Sequence, residues 1–340
     1  MTFGETLVDD AAGAIAAHGV RAADVVIHKG AVVTEAHVAA LKAAGVATIF
    51  VARLEDGDVG EDVAAHALAR ACAGPGVRVD APFAGRANLR ATHAGVVLAP
   101  VAGIDAVNAV DEAITLATLA PFAPAAAGDL IATVKIIPFA APRADLARAL
   151  ACAPAARLAV APYRGRAVAV LCTRAPGLKE ATITKTLRAL QDRLTPMDGR
   201  ITFECRPAHA IGPLTEALRA AAGADLTIVF GASATADRRD VVPAAIEAAG
   251  GRIEAFGMPV DPGNLLALAR NASGAPVLGA PGCARSPKEN GFDFVLRRLM
   301  ADLPVTGADL QRMGAGGLLK EIGSRPQPRS RTGRDGTGDG

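Results

Sequence analysis

At 340 residues, with 36 basic against 34 acidic side chains, the chain has a formal charge of only +2 and no electrostatic bias towards nucleic acid or membrane surfaces. Aromatics make up 3% of residues, with no Trp and one Tyr. That scarcity removes the stacking platforms single-stranded nucleic acid needs and leaves Ala, Val and Leu to pack the core. The length admits two domains with substantial cores. Five scattered cysteines (Cys72, Cys152, Cys172, Cys205, Cys283) form no CxxC pair, and the histidines complete no zinc spacing, so a reduced cytosol is expected. Met1–Asp10 lacks a basic region with an apolar core, and no apolar run reaches spanning length. A cytoplasmic protein without a membrane partner is the expectation.

The first half is patterned irregularly. Residues 24–28, 48–53, 95–98 and 130–138 read as strands, and 35–44, 61–72, 102–117 and 143–152 as helices. This predicts an α+β region over residues 1–160, in one body or two lobes, ending where Pro154 and Pro162 punctuate the chain. His28, His37, His66 and His93 take surface or core positions with no assigned role. The stretches 111–118 and 132–139 stand out as family-like, with no physical reason evident from their residues.

From residue 161 to 322 strands and helices alternate. Residues 167–172, 201–205, 226–230, 253–258 and 277–280 read as strands; 180–194, 213–222, 240–249 and 287–301 read as helices. Near-continuous apolar strands between helices predict an α/β domain with a three-layer, mainly parallel sheet. Ligands of such sheets bind beyond the carboxyl ends of the strands, here residues 173–179, 231–240 and 279–286. The tail 323–340, rich in Arg, Gly, Pro and Ser without an apolar residue, is expected to be disordered.

Two of those three segments carry chemistry. In 277–289 a buried strand leads through Pro281-Gly282 into a helix start, with Ser286 and Glu289 spaced as a capping box and Pro287 at the first helical position. Such a junction aims backbone N–H groups at one spot, suited to an anion, and Arg285 adds charge. The ordinary alternative is a tight connection that binds nothing. Cys283 reads as a small buried residue or as a thiolate beside the ligand. In 231–240, Gly231 and Ala232 permit close approach, Ser233 and Thr235 offer hydroxyls, and Asp237 and Asp240 offer carboxylates. That set suits a polar heterocycle or, through a carboxylate, hydrated Mg2+. The local job of Asp240 is a helix N-cap. The loop is neither GxGxxG nor GxxxxGK[ST], which removes the support for dinucleotide or P-loop binding.

Three short motifs resemble a known family. Gly231-Ala232-Ser233-Ala234-Thr235-Ala236-Asp237-Arg238-Arg239-Asp240 is similar to a GGxSxGxxD-like loop, Gly279-Ala280-Pro281-Gly282-Cys283 to a strand-end PGxP, and Val260-Asp261-Pro262-Gly263-Asn264 to K-P-G-K. With these, residues 166–304 resemble the molybdopterin-binding domain of molybdenum-cofactor biosynthesis proteins of the MoeA/Mog type. Residues 29–54 resemble the segment preceding that domain in the MoeA branch. The chain to Glu321 resembles the amino-terminal part of bacterial fusion proteins that continue into a nucleotidyltransferase-like domain.

The resemblance implies molybdopterin as ligand, contacted by Gly231, Ser233, Thr235, Gly263, Pro281, Gly282, Arg285 and Ser286, the phosphate near Ser286 and Arg285. It implies catalytic roles for Asp237 and Asp240, with Asp240 on Mg2+, and molybdate as a co-substrate. The corresponding functions are metal insertion by a molybdenumtransferase, or hand-over of the pterin to a separate nucleotidyltransferase. Family members are often oligomeric, so a homo-oligomer is expected. Departures from the pattern are Ala232 for the second glycine, Thr173-Arg174-Ala175-Pro176 in place of TGDE, and Val260 and Asn264 in place of lysines. The lost acidic residue leaves a second function open: a non-enzymatic carrier or chaperone delivering the cofactor to a molybdenum hydroxylase. A nicotinamide-dependent oxidoreductase is the distant third.

Overall fold

The computed structural model describes residues 1–319. The tail 323–340 and the last residues of the expected 161–322 domain lie outside the described residues. The chain divides into two compact units, Met1–Arg164 with Met300–Leu303, and Gly165–Leu299 with the segment from Pro304. No helix among the described residues is long and apolar enough to cross a membrane.

The first unit is α+β. Thr2–Leu7, a strand the sequence reading did not mark, runs antiparallel to Thr48–Arg53, and Ile15–Ala16 flanks its other side. Val8, Ile27, Leu41, Ile49 and Val51 bury one apolar cluster there. Another forms where the helix Glu61–Cys72 lies on a four-stranded antiparallel sheet of Ile114–Thr118, Leu130–Ile136, Arg86–Ala91 and Val77–Val79. Ala64, Ala65, Leu68, Ala69 and Cys72 recur at helical spacing and are all fully buried, and their small side chains suit close packing on a sheet.

The helix expected over 102–117 is a correction. The helix is Val101–Asn108, followed by the strand Ile114–Thr118. The Asn108 side chain both donates to the Leu116 carbonyl and accepts its N–H, at 3.0 and 2.7 Å, while Asp111 Oδ1 accepts the Ala113 N–H at 2.9 Å. These side-chain bonds to backbone offer the chain an alternative to helix and turn it back.

The second unit holds β1 (Ala167–Cys172), α1 (Glu180–Leu194), β2 (Arg200–Cys205), α2 (Ile211–Ala220), β3 (Leu226–Phe230), α3 (Val241–Ala248), β4 (Arg252–Phe256), β5 (Ala267–Arg270), β6 (Pro276–Ala280) and α4 (Gly291–Met300). Its six-stranded sheet has the order β2-β1-β3-β6-β5-β4. The pairs β1/β2, β1/β3 and β3/β6 are parallel, and β5 runs antiparallel to both neighbours. β5 is an addition to the predicted elements. The sheet is therefore mostly parallel, as the alternating pattern implied.

Helices cover both faces. Ala169, Leu171, Val229 and Val277 bury one face under Leu214 and Leu218 of α2 and Val242 and Ile246 of α3. Strand alternation sends Val168, Val170, Ile228 and Phe230 to the other face, where they are also buried. There the Phe230 ring meets Phe292 of α4 at 6.3 Å, and Arg193 of α1 pairs with Asp293 of α4.

The start of α4 is a second correction. No helix begins at Pro287, and Ser286 and Glu289 form no capping box. Gly282–Arg285 is a single 3-10 turn and α4 starts at Gly291. The working box lies four residues on: Asn290 Oδ1 accepts the Phe292 N–H at 3.1 Å and Asp293 Oδ2 accepts the Asn290 N–H at 2.8 Å. Both side chains are buried, whereas Glu289 turns outward to Arg297.

Candidate functional site

Register brings the loops together. Cys172, Phe230 and Ala280 are aligned across β1, β3 and β6, so Thr173, Gly231 and Pro281 leave the sheet at one rim. From β1 the chain crosses outward to β2, and from β3 it proceeds the opposite way towards β6. The carboxyl ends of β1 and β3 thus flank a reversal of strand order, where open α/β sheets form a ligand crevice.

Side chains tie the crevice. Thr173, fully buried, accepts the Ala232 N–H on Oγ1 at 2.7 Å, and its N–H donates to the Phe230 carbonyl at 3.0 Å. His209, from the loop between β2 and α2, lies with Nδ1 2.9 Å from Thr173 Oγ1 and Nε2 2.8 Å from Ser233 Oγ. Arg285 reaches back from the third loop, donating to the Gly231 carbonyl at 2.8 Å and to Thr186 of α1 at 2.9 Å, with its guanidinium 5.4 Å from the centre of the Phe230 ring. Burial lowers its pKa from the usual arginine value. Segments 173–179, 231–240 and 279–286 therefore share one rim.

Each expected residue has a definite place. Ser233 and Thr235 stand at the rim, and the Thr235 hydroxyl has no partner among the described residues. The backbone amides of Ser233, Ala234 and Thr235 likewise have none, a run of donors able to hold an anion. A Cβ added at Gly282 would meet nothing within 4 Å, so the third loop is open to close approach. Pro281 is buried beneath it. Ser286 is engaged locally: its carbonyl accepts from Arg193 at 2.6 Å and its hydroxyl from the Lys288 N–H at 3.3 Å. Gly263 is pressed against the start of α4, where an added Cβ would lie 2.6 Å from the Gly291 nitrogen.

The carboxylates close the second loop on itself. Asp240 directly precedes α3, yet its side chain makes no cap; Oδ2 accepts the N–H groups of Ala236 and Asp237 at 2.6 and 3.0 Å. Asp237 grips Arg239 through both side chain and backbone N–H, which holds its carboxyl down to about 2. Among the described residues no group of three or more His, Cys, Asp or Glu side chains is placed to hold a metal ion. Asp237 is thus ion-paired, and one oxygen of Asp240 is taken up by the amides of its own loop.

All five thiols are free. Burial pushes Cys283 above the ordinary thiol value, so at neutral pH this residue stays a thiol rather than a thiolate. Cys72 and Cys172, fully buried, are both pushed up to about 11. Native protein at pH 8 is expected to leave these two unalkylated by iodoacetamide, and urea to expose them. Peptide mass spectrometry reads this directly, and labelling of either before unfolding contradicts the packing described.

Two residues that organise the rim were missed in the sequence. His209 sits in a loop with no motif around it. Arg193 had a signal: it shares a face of α1 with the buried Thr186, Ala189 and Leu190, where a solvent-seeking arginine would not stand.

Comparison with known proteins adds little to this geometry. The family model described as "Domain of unknown function (DUF8806)" matches residues 5–53. No curated protein matches the chain. A solved molybdenum cofactor biosynthesis protein from Pyrococcus furiosus is similar at 11% identity and a TM-score of 0.26, covering 89% of this chain. The chain spans 64% of that structure's length. A likeness this slight carries no functional argument.

Proposed function

We propose that the second unit binds molybdopterin at the rim between β1 and β3, and that the protein acts in molybdenum-cofactor biosynthesis. The observation that supports this reading is the convergence of Thr173, His209, Ser233 and Arg285 on one crevice at the reversal of strand order. The short motifs at 231–240 and 279–283, similar to the molybdopterin-binding loops of the MoeA/Mog type, point to the same crevice. Molybdopterin carries a pterin able to hydrogen-bond with Ser233 and Thr235, and a phosphate suited to the free amides of residues 233–235 beside the open Gly282.

Within that reading, hand-over of the pterin is favoured over metal insertion. Asp237 is committed to Arg239, Asp240 to its own loop, and β1 is followed by Thr173-Arg174-Ala175-Pro176 without a carboxylate. The recipient is a separate nucleotidyltransferase or a molybdenum hydroxylase.

Purification from a molybdopterin-producing host, followed by fluorescence of the oxidised pterin released on denaturation, tests both levels. The protein is expected to carry pterin; the double variant Ser233→Ala/Thr235→Ala and the single variant Gly282→Val should each lose most of it. Asp240→Asn, which keeps an acceptor for the two loop amides, should retain it. Pterin retained by the first two variants moves the site elsewhere, and pterin lost with Asp240→Asn restores a role for that carboxylate in binding.

A further inference from the structure

The first unit has a concave site of its own. A cavity of about 450 Å3 is lined by Phe3, His18, Lys29, Glu61, Lys135 and Phe139 among others, drawn from segments far apart in sequence. Lys135, Ile137, Pro138 and Phe139 belong to the stretch 132–139, which the sequence marked without a reason. The volume falls within the range of pockets that enclose small organic ligands, about 300–1,000 Å3.

Its charges are arranged, not scattered. Lys135 extends its ammonium to the Ala84 carbonyl at 2.5 Å and lies 3.5 Å from the Glu61 carboxylate. Gly85 makes this approach possible: it has φ +71°, and an added Cβ would lie 2.2 Å from Glu61 Oε2 and 2.7 Å from Lys135 Nζ. Lys29 stands over the Phe139 ring at 5.9 Å and has no carboxylate partner among the described residues. Two side-chain ammonium groups thus face one carboxylate, leaving a net positive charge, while the Met1 ammonium that also lines the cavity is paired with Glu55 and Asp58.

The walls are aromatic and apolar. Phe3 is 56% exposed with its ring edge-to-face on His18 at 6.5 Å, and Ile137 is 61% exposed. In a chain with so few aromatic residues, an exposed ring at Phe3 and a half-buried ring at Phe139, the latter under the unpaired Lys29 ammonium, lining one cavity are the pattern of a ring-binding site. The ligand must supply three things: an anion for Lys29, a flat ring for Phe3 and Phe139, and an N–H on the edge of that ring, endocyclic or exocyclic, for the Glu61 carboxylate.

We propose that this cavity binds a nucleoside monophosphate, with the phosphate held at Lys29 and Lys135 and the base lying against Phe3 and Phe139. The site is separate from the rim of the second unit and does not depend on what the rim binds. Calorimetric titration of the full-length protein with AMP, GMP, CMP, UMP and inorganic phosphate tests it. At least one nucleotide is expected to saturate a single site below about 1 mM, with inorganic phosphate at least tenfold weaker. Lys29→Ala, at an exposed position that leaves the fold intact by circular dichroism, should weaken nucleotide binding about tenfold, and Lys29→Arg should restore most of it. Gly282→Val should leave it unchanged. The proposal is overturned by an absence of nucleotide saturation, by phosphate binding as tightly as the nucleotides, by an unaltered affinity in Lys29→Ala, or by loss in Gly282→Val.

Discussion

Replacing Arg193 by Ala is expected to destabilise the second unit by about 3–5 kcal/mol, because it leaves a buried carboxylate without its cation. The Arg193 and Asp293 side chains are only 9% and 7% exposed, and Nε lies 2.6 Å from Asp293 Oδ1. The same guanidinium donates to the carbonyls of Ala284, Ser286 and Lys288, so one side chain anchors the stretch from the 3-10 turn to α4. Arg193→Lys should recover only part of the loss, since a single ammonium cannot serve the carboxylate and three carbonyls in that forked geometry. The readout is the urea midpoint by far-UV circular dichroism, with faster amide exchange over residues 284–290 as the local signature. A loss below about 1 kcal/mol would reduce the pair to the value of a surface contact.

Gly263→Ala should cost at least about 3 kcal/mol, for a steric reason no side-chain movement relieves. Gly263 has φ +137°, a conformation closed to L side chains, and its added Cβ would lie 2.6 and 2.7 Å from the nitrogen and Cα of Gly291. Both opposing atoms are backbone, and the Gly291 N–H is already donated to the Pro262 carbonyl at 2.9 Å. The expected result is a lowered thermal midpoint regardless of any ligand. An unchanged midpoint with pterin lost would return this glycine to the ligand contacts implied by the family resemblance.

The second unit was readable where side-chain period and burial coincide. β3, Leu226–Phe230, is apolar at nearly every position and buried at all five, and Glu180–Leu194 presents one apolar stripe; both sequence boundaries match the observed ones. Legibility failed where polar side chains bond to backbone, because one residue type supports several local structures. Asn108 ended a helix that the surrounding Ala-rich stretch would have continued. Near α4 the chain offers two capping signatures in succession, Ser286/Glu289 and Asn290/Asp293. The second prevails where Asn290 and Asp293 are buried and Arg193 fixes the carboxylate. At the rim, the loops were legible from strand ends alone, whereas His209 was not, since its partners Thr173 and Ser233 lie 36 and 24 residues away.

The bonding of Thr173 sets the polarity of the crevice. Its oxygen already receives the Ala232 amide, and its own hydrogen has two acceptors within reach, Nδ1 of His209 at 2.9 Å and the Phe230 carbonyl at 3.5 Å. In the tautomer where Nδ1 takes that hydrogen, the imidazole carries its proton on Nε2 and directs it at the Ser233 oxygen, 2.8 Å away. The Ser233 hydrogen is then left for a ligand, beside backbone amides that only donate. For the ligand proposed at this rim, that tautomer suits groups presenting lone pairs, such as oxo groups, ring nitrogens and phosphoryl oxygens.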